Sequence, residues 1–186
     1  MEPRLFIAFK IIPSEEMLNA LKTIKQTFVQ SEFSWVNPDN YHITLKFFGA
    51  TPVSQIQLIK KAMEQAFLNE SSCEISLESL GIFGSSYSPK VLWTHVYPTE
   101  RCKIWYNKLK EPLINYGFEY DRQNFVPHLT LARIKHLDDK SLINKTIEKY
   151  KGFCFLEYKV EKISLYESIL KPKGAEYINH FSICLR

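Results

Sequence analysis

Hydrophobic positions change their period several times along this chain. Arg4 to Ile11, RLFIAFKI, reads as a strand, and Pro13 then opens a stretch in which Met17, Leu21, Ile24 and Phe28 recur at helical spacing. A turn follows at NPDN, just before a run beginning NYHITLKFFG. After Gly49, Thr51 and Pro52 read as the N-cap and first residue of a helix whose buried stripe is Val53, Ile56, Ile59 and Met63. CEISLESLGIF and KVLWTHVY have the composition of strands. A helix is predicted from about Thr99 to Tyr116, closed by Gly117 and disturbed by Pro112, and another near Lys140 to Tyr150. Three strand-like runs, GFCFLEYKV, EKISLYES and EYINHFSIC, complete the pattern, with KPKGA turning between the last two. No low-complexity segment or linker interrupts this succession, so residues 1–186 are expected to form a single domain of two intimately packed α+β lobes with antiparallel sheets.

Composition narrows the setting. A chain of 186 residues that is 45% hydrophobic can bury a sizeable core. The formal charge of +4 suits an anionic substrate but is too mild to indicate nucleic-acid binding unaided. Cys73, Cys102, Cys154 and Cys184 show no C-x-x-C spacing and no dense framework, which favours reduced thiols in a cytoplasmic protein over disulfides or a zinc site. The apolar run near the N-terminus is too short for a membrane span and has no small-residue cleavage site.

The chemistry lies in a duplication: His42-Ile-Thr-Leu recurs 86 residues later as His128-Leu-Thr-Leu. A chance H-x-T is expected roughly 0.2 times in a chain of this composition. On a strand, His42 and Thr44 share one face while Ile43 and Leu45 face the core, and His128 and Thr130 repeat the arrangement. If each lobe supplies one such strand to a shared cleft, two imidazoles and two hydroxyls face each other around a space fit for a phosphate. An imidazole titrating near about 6.5 can be a neutral base or a protonated acid at physiological pH, so one can activate a nucleophile and the other protonate a leaving oxygen. Two Thr hydroxyls can donate to the non-bridging oxygens and hold phosphorus in line.

Paired HITL and HLTL, the flanking KFFG and ARI, and the later SLYESILKPKGAEY together resemble the 2H phosphoesterase family, and within it the bacterial RNA 2′,3′-cyclic phosphodiesterases, also called 2′-5′ RNA ligases. The resemblance extends over nearly the whole chain. It implies two pseudo-symmetric lobes, each an antiparallel sheet with helices packed outside, around a central cleft with one H-x-T motif per lobe. It also implies cofactor-free, metal-independent hydrolysis of RNA 2′,3′-cyclic phosphate ends to 2′-phosphates. By position, His42 resembles the proton donor, His128 the proton acceptor, and Thr44 and Thr130 the phosphate ligands. The implied partner is RNA with a cyclic end, tRNA fragments among the candidates, and a monomer away from membranes is expected.

Other residues carry competing readings. The resemblance puts Arg133 on the phosphate, yet strict alternation sets it on the core side with Leu129 and Leu131, so the strand must end or bulge for it to reach the cleft. Lys46 shares the predicted face of His42 and Thr44 and is a candidate substrate contact, against the ordinary reading of a solvated lysine. Phe48 falls on the same face and could stack on a terminal base or simply fill the core. Ser168, Lys171 and Lys173 lie near a cleft-edge loop or in a solvated turn. His95, His136 and His180 occur in unrepeated contexts and receive no role. Three alternatives to cyclic-end hydrolysis use the same residues: 2′-5′ RNA ligation, hydrolysis of a small cyclic nucleotide, and a non-catalytic module that binds RNA ends. No His, Asp or Glu cluster with metal-ligand spacing flanks either motif, so turnover is expected to be the same with and without EDTA. Lost activity restored by Mg²⁺ or Zn²⁺ alone would contradict this.

Overall fold

A computed structural model describes residues 2–120, 124–172 and 174–186. In chain order the elements are β1 (Arg4–Lys10), α1 (Glu15–Thr27), β2 (Glu32–Trp35), β3 (His42–Ala50), α2 (Ile56–Phe67), β4 (Cys73–Ser85), β5 (Ser88–Tyr97), α3 (Thr99–Asn115), β6 (His128–His136), α4 (Lys140–Lys149), β7 (Cys154–Val160), β8 (Lys162–Lys171) and β9 (Gly174–Cys184). They build two antiparallel sheets, ordered β3-β1-β8-β9 and β2-β6-β5-β4-β7. Each H-x-T motif opens a strand of a different sheet, β3 in the first and β6 in the second. Helices α2 and α3 pack on the first sheet, α1 and α4 on the second. Among the described residues no helix is long and apolar enough to cross a membrane, and the four cysteines are free thiols.

The sheets are not successive halves of the chain. Four-residue β2, which the sequence pattern does not predict, leaves the first half to pair with β6, Trp35 opposite Ala132 and Ser34 opposite Arg133. Conversely, the β8–β9 hairpin returns to the first sheet, where Leu165 lies opposite Ile7 and Glu167 opposite Leu5.

Local chemistry explains the helix boundaries. Ser14 caps α1, its hydroxyl accepting from the Met17 N–H at 3.2 Å, and Met17, Leu21 and Ile24 turn inward as their spacing predicts. The expectation for α2 needs correction. Thr51 is buried and donates its hydroxyl to the Gly49 carbonyl at 3.0 Å instead of capping. A 3-10 turn over Val53–Gln55 intervenes, which leaves Val53 68% exposed and starts the buried stripe at Ile56. Pro112 sits inside α3 without ending it.

One irregularity decides which side chains reach the cleft. In β6, Leu92 pairs with Ala132 and Trp93 with Thr130, so Leu131 is an extra residue, a β-bulge. In β3, Ile7 pairs with Lys46 and Ala8 with Thr44, so Leu45 is extra at the same place in the motif. Burial runs identically through the first six residues of both strands. Beyond each bulge the inward and outward faces exchange. The expectation that Lys46 and Phe48 share the His42 face is therefore corrected: Lys46 pairs with the buried Ile7, is 5% exposed and lays its ammonium over the Tyr120 ring, while Phe48 packs edge-to-face on Phe118. The exposed aromatic at this point is Phe47, paired with Phe6 and covered by the Arg4 guanidinium at 5.5 Å. In β6 the same inversion turns Arg133 outward.

The second sheet also depends on a glycine. Gly81 in β4 lies opposite Trp93, and a Cβ there would come within 2.7 Å of the indole. Trp93 is itself packed against Phe83 and His128, so it cannot yield freely. Gly81→Ala is expected to lower unfolding free energy by about 1–3 kcal/mol in urea denaturation, the usual scale of overpacking. An unchanged urea midpoint would show that the indole has room to move.

Candidate active site

Both histidines are held by the same local device. The Nδ1–H of His42 donates to the Asn40 carbonyl at 2.7 Å, and the Nδ1–H of His128 donates to the Val126 carbonyl at 2.8 Å, in each case two residues earlier. A carbonyl can only accept, so each bond fixes the proton on Nδ1 and leaves Nε2 uncommitted to the backbone. Strands β3 and β6 approach one another although they belong to different sheets. The rings are near enough that a proton on His128 disfavours one on His42.

Aromatic walls complete each position. His42 lies edge-on to Tyr177 at 5.1 Å and tilted against Phe6 at 5.0 Å. His128 meets Phe83 edge-to-face at 4.7 Å and Trp93 at 5.7 Å. Burial among these rings pushes both imidazoles below their ordinary pKa, partly opposed by the carbonyl bonds. For His42 the charge of His128 adds to the lowering.

Thr44 pairs with Ala8, and Thr130 with Trp93, each on the face of its histidine and half-buried. Arg133, turned by the bulge, acts electrostatically on the hydroxyl of Tyr177, a residue of the other sheet, opposing the upward shift that burial gives that phenol. It is thus exposed on the outward side of β6 and near enough to Tyr177 for its charge to be felt there. Ser168 stands across from Tyr177 on β8 and β9. Lys171 is exposed and pairs with Glu176 at 3.5 Å, and Lys173 lies outside the described residues. Lys46 and Phe48 are not brought to the histidines. Of the unassigned histidines, His180 pairs with Glu167 at 2.8 Å, His136 is exposed at the far end of β6, and His95 is the cross-strand neighbour of His128.

Phe6, Tyr177 and Trp93 are the site residues that the sequence does not announce. Tyr177 reaches His42 only because β9 adds to β8 and β8 to β1, a register that no local pattern encodes. Among the described residues no group of three or more His, Cys, Asp or Glu could hold a metal ion.

The arrangement has known counterparts. The LigT-like phosphoesterase family model matches residues 11–93 and 98–177, one H-x-T motif falling in each stretch. The chain is 32% identical over 174 residues to the RNA 2′,3′-cyclic phosphodiesterase of Methanocaldococcus jannaschii, covering 94% of this chain and 96% of that one. It is 31% identical over 176 residues to the protein of the same name from Thermotoga maritima, covering 94% and 91%. Among solved structures, TT0787 of Thermus thermophilus matches with a TM-score of 0.80 at 25% identity over 98% of both chains. E. coli LigT complexed with 3′-AMP shares the fold, with a TM-score of 0.75 at 21% identity over 100% of this chain and 99% of that one. With two sheets each presenting one such motif to the other, and with this match along most of its length, the chain belongs to the LigT-like phosphoesterase family.

Proposed function

We propose that this protein hydrolyses 2′,3′-cyclic phosphate ends of RNA to 2′-phosphates, with two histidines dividing the proton transfers and no metal taking part. The observation that carries the reading is the repeated Nδ1-to-carbonyl bond, which leaves two Nε2 atoms from opposite sheets free to accept and donate protons. The relatives named RNA 2′,3′-cyclic phosphodiesterase support the substrate class.

In this reading His128 Nε2 takes a proton from water as the water oxygen bonds to phosphorus. The P–O3′ bond breaks on the opposite side, and His42 Nε2–H passes its proton to O3′. The products are a 2′-phosphate and a free 3′-hydroxyl, and the pair ends with the proton exchanged between the two rings. Thr44 and Thr130 donate hydroxyl hydrogens to the non-bridging oxygens, and Arg133 offsets the charge gathering there. Repulsion between the imidazolium charges disfavours protonating both rings at once, and the division of roles further needs the remaining proton to sit on His42 when substrate is bound.

Each role is worth about 10² to 10⁴ in rate, so His42→Ala and His128→Ala are both expected to lose that much kcat/KM on RNA with a cyclic end. A diester with a p-nitrophenolate leaving group needs little protonation. On it His42→Ala is expected to regain most of its loss, while His128→Ala remains impaired. The opposite ranking would exchange acid and base, and equal losses on both substrates would remove the division itself.

The electrostatics give an independent check by NMR titration of the imidazoles. Burial penalises the charged form, so both rings in the free enzyme are expected to release their protons below the ordinary value of about 6.5. In His128→Ala one repelling charge is gone, so the His42 pKa is expected to rise toward that value. A His42 pKa that stays put or falls would mean that the rings do not sense each other.

A further inference from the structure

The wall that carries His128 continues into a second opening of about 520 Å³, bounded by the end of β5, one face of α3 and residues 124–127. The two spaces share residues: Val126, whose carbonyl holds His128 Nδ1, lines the opening, as does His95, the cross-strand partner of His128. Its α3 side carries Lys103 and Lys110, two turns apart on one helix face and both exposed. Between them on the same helix Tyr106 carries Phe125 stacked on its ring, with centroids 4.4 Å apart and planes within 1°.

Charge distinguishes this opening from its neighbour. Among the described residues no carboxylate lines it. Lys103 does pair with Glu100 at 3.6 Å, but both side chains are exposed and such a pair contributes little. The adjoining hollow beyond Tyr97, about 770 Å³, is lined by Glu74, Glu100 and Glu157 together with Lys103 and Lys159, so its carboxylates outnumber its cations and it is the less favourable side for a polyanion. An RNA strand leaving the two histidines therefore meets cations and aromatic rings on one side and a mixed lining with an excess of carboxylates on the other, with Lys103 bordering both.

The geometry points to this opening as the seat of the nucleotide that precedes the cyclic end, with its phosphate drawn to Lys103 and Lys110 and its base set against the wall formed by His95 and Phe125. Stacking on aromatic faces together with ammonium contacts to phosphate is the usual chemistry of single-stranded RNA binding. This inference rests on the RNA-end reading above. It makes the protein prefer an RNA chain over a cyclic mononucleotide, because a mononucleotide has nothing to place there.

The test compares adenosine 2′,3′-cyclic phosphate with a penta-adenylate ending in the same group, using the unaltered protein and the double variant K103E/K110E. The variant is expected to treat the mononucleotide within twofold of the unaltered protein, which also reports correct folding. On the penta-adenylate its kcat/KM is expected to fall at least tenfold, chiefly through KM, and the logarithmic dependence on salt to become shallower by about 0.7 for the one phosphate no longer neutralised. K103Q/K110Q is expected to show the same pattern at smaller size. An unchanged rate on the penta-adenylate, or equal losses on both substrates, would overturn the subsite. Anisotropy of a fluorescent penta-adenylate ending in a 2′-phosphate reads the same opening without turnover. If the unaltered protein cleaves neither substrate, the hydrolytic reading falls, whereas weaker binding by the variant would support the subsite and equal binding would overturn it.

Discussion

The bond from each Nδ1–H to the carbonyl two residues before it is the interaction on which the rest of the site depends. An imidazole free to rotate or to exchange tautomers would offer either nitrogen to the cleft, whereas these bonds commit Nδ1 to the backbone and leave Nε2 for other partners. The bond requires that the backbone bend just ahead of each histidine, and the structure meets that need by beginning β3 and β6 at the histidines themselves. Asn40 ends a 3-10 turn that is capped by the Asn37 side chain, and Pro127 restricts the residue before it, so each carbonyl is presented by backbone with little freedom. Aromatic packing then fixes the ring planes, and the two sheets bring the rings together.

A second constraint acts two residues further along. Had β6 continued without its bulge, Arg133 would point into the core, and an unpaired guanidinium there would cost far more than the strand could tolerate. With Leu131 inserted, the apolar side chain fills the core and the cation turns outward. The corresponding bulge at Leu45 has the opposite charge consequence: Lys46 goes inward, where its ammonium meets the face of Tyr120, and Phe47 goes outward. One backbone device, used at the same position of both motifs, thus makes two chemically different rims. The outward residue after the bulge is a cation, Arg133, on β6 and an aromatic ring, Phe47, on β3.

This pattern also explains what could be read from the residues and what could not. The histidines and threonines precede the bulges, so period-two alternation placed them correctly with no knowledge of the fold. Lys46 and Phe48 follow a bulge, and the same alternation misplaced them; for Arg133 it indicated only that some irregularity was needed. A bulge leaves no reliable local mark when, as here, the inserted residue is an ordinary leucine in an apolar strand. Strand β2 escaped because four residues hold their conformation through pairing with β6, not through their own propensity. The start of α2 is not legible locally because a Thr-Pro pair looks like a cap whether or not its hydroxyl is engaged elsewhere, as that of Thr51 is with Gly49. Tyr177 stayed hidden because its place beside His42 is set by pairings between segments far apart in sequence.

Those distant pairings bear on how the protein is made. The first sheet takes β1 and β3 from the beginning of the chain and β8 and β9 from residues 162–184, and β1 lies between β3 and β8. A chain emerging from the ribosome can join β1 to β3 early, but the other edge of β1 must wait for most of the remaining sequence, with Phe6 still lacking its neighbours Tyr166 and Tyr177. The second sheet has its full set of strands once residue 160 has appeared. The surroundings of the two histidines are thus completed in two stages, the His128 wall before the His42 wall. A nascent chain halted between them carries both histidines but only one finished half of the cleft, and it exposes a bare strand edge for chaperones or neighbouring chains to find.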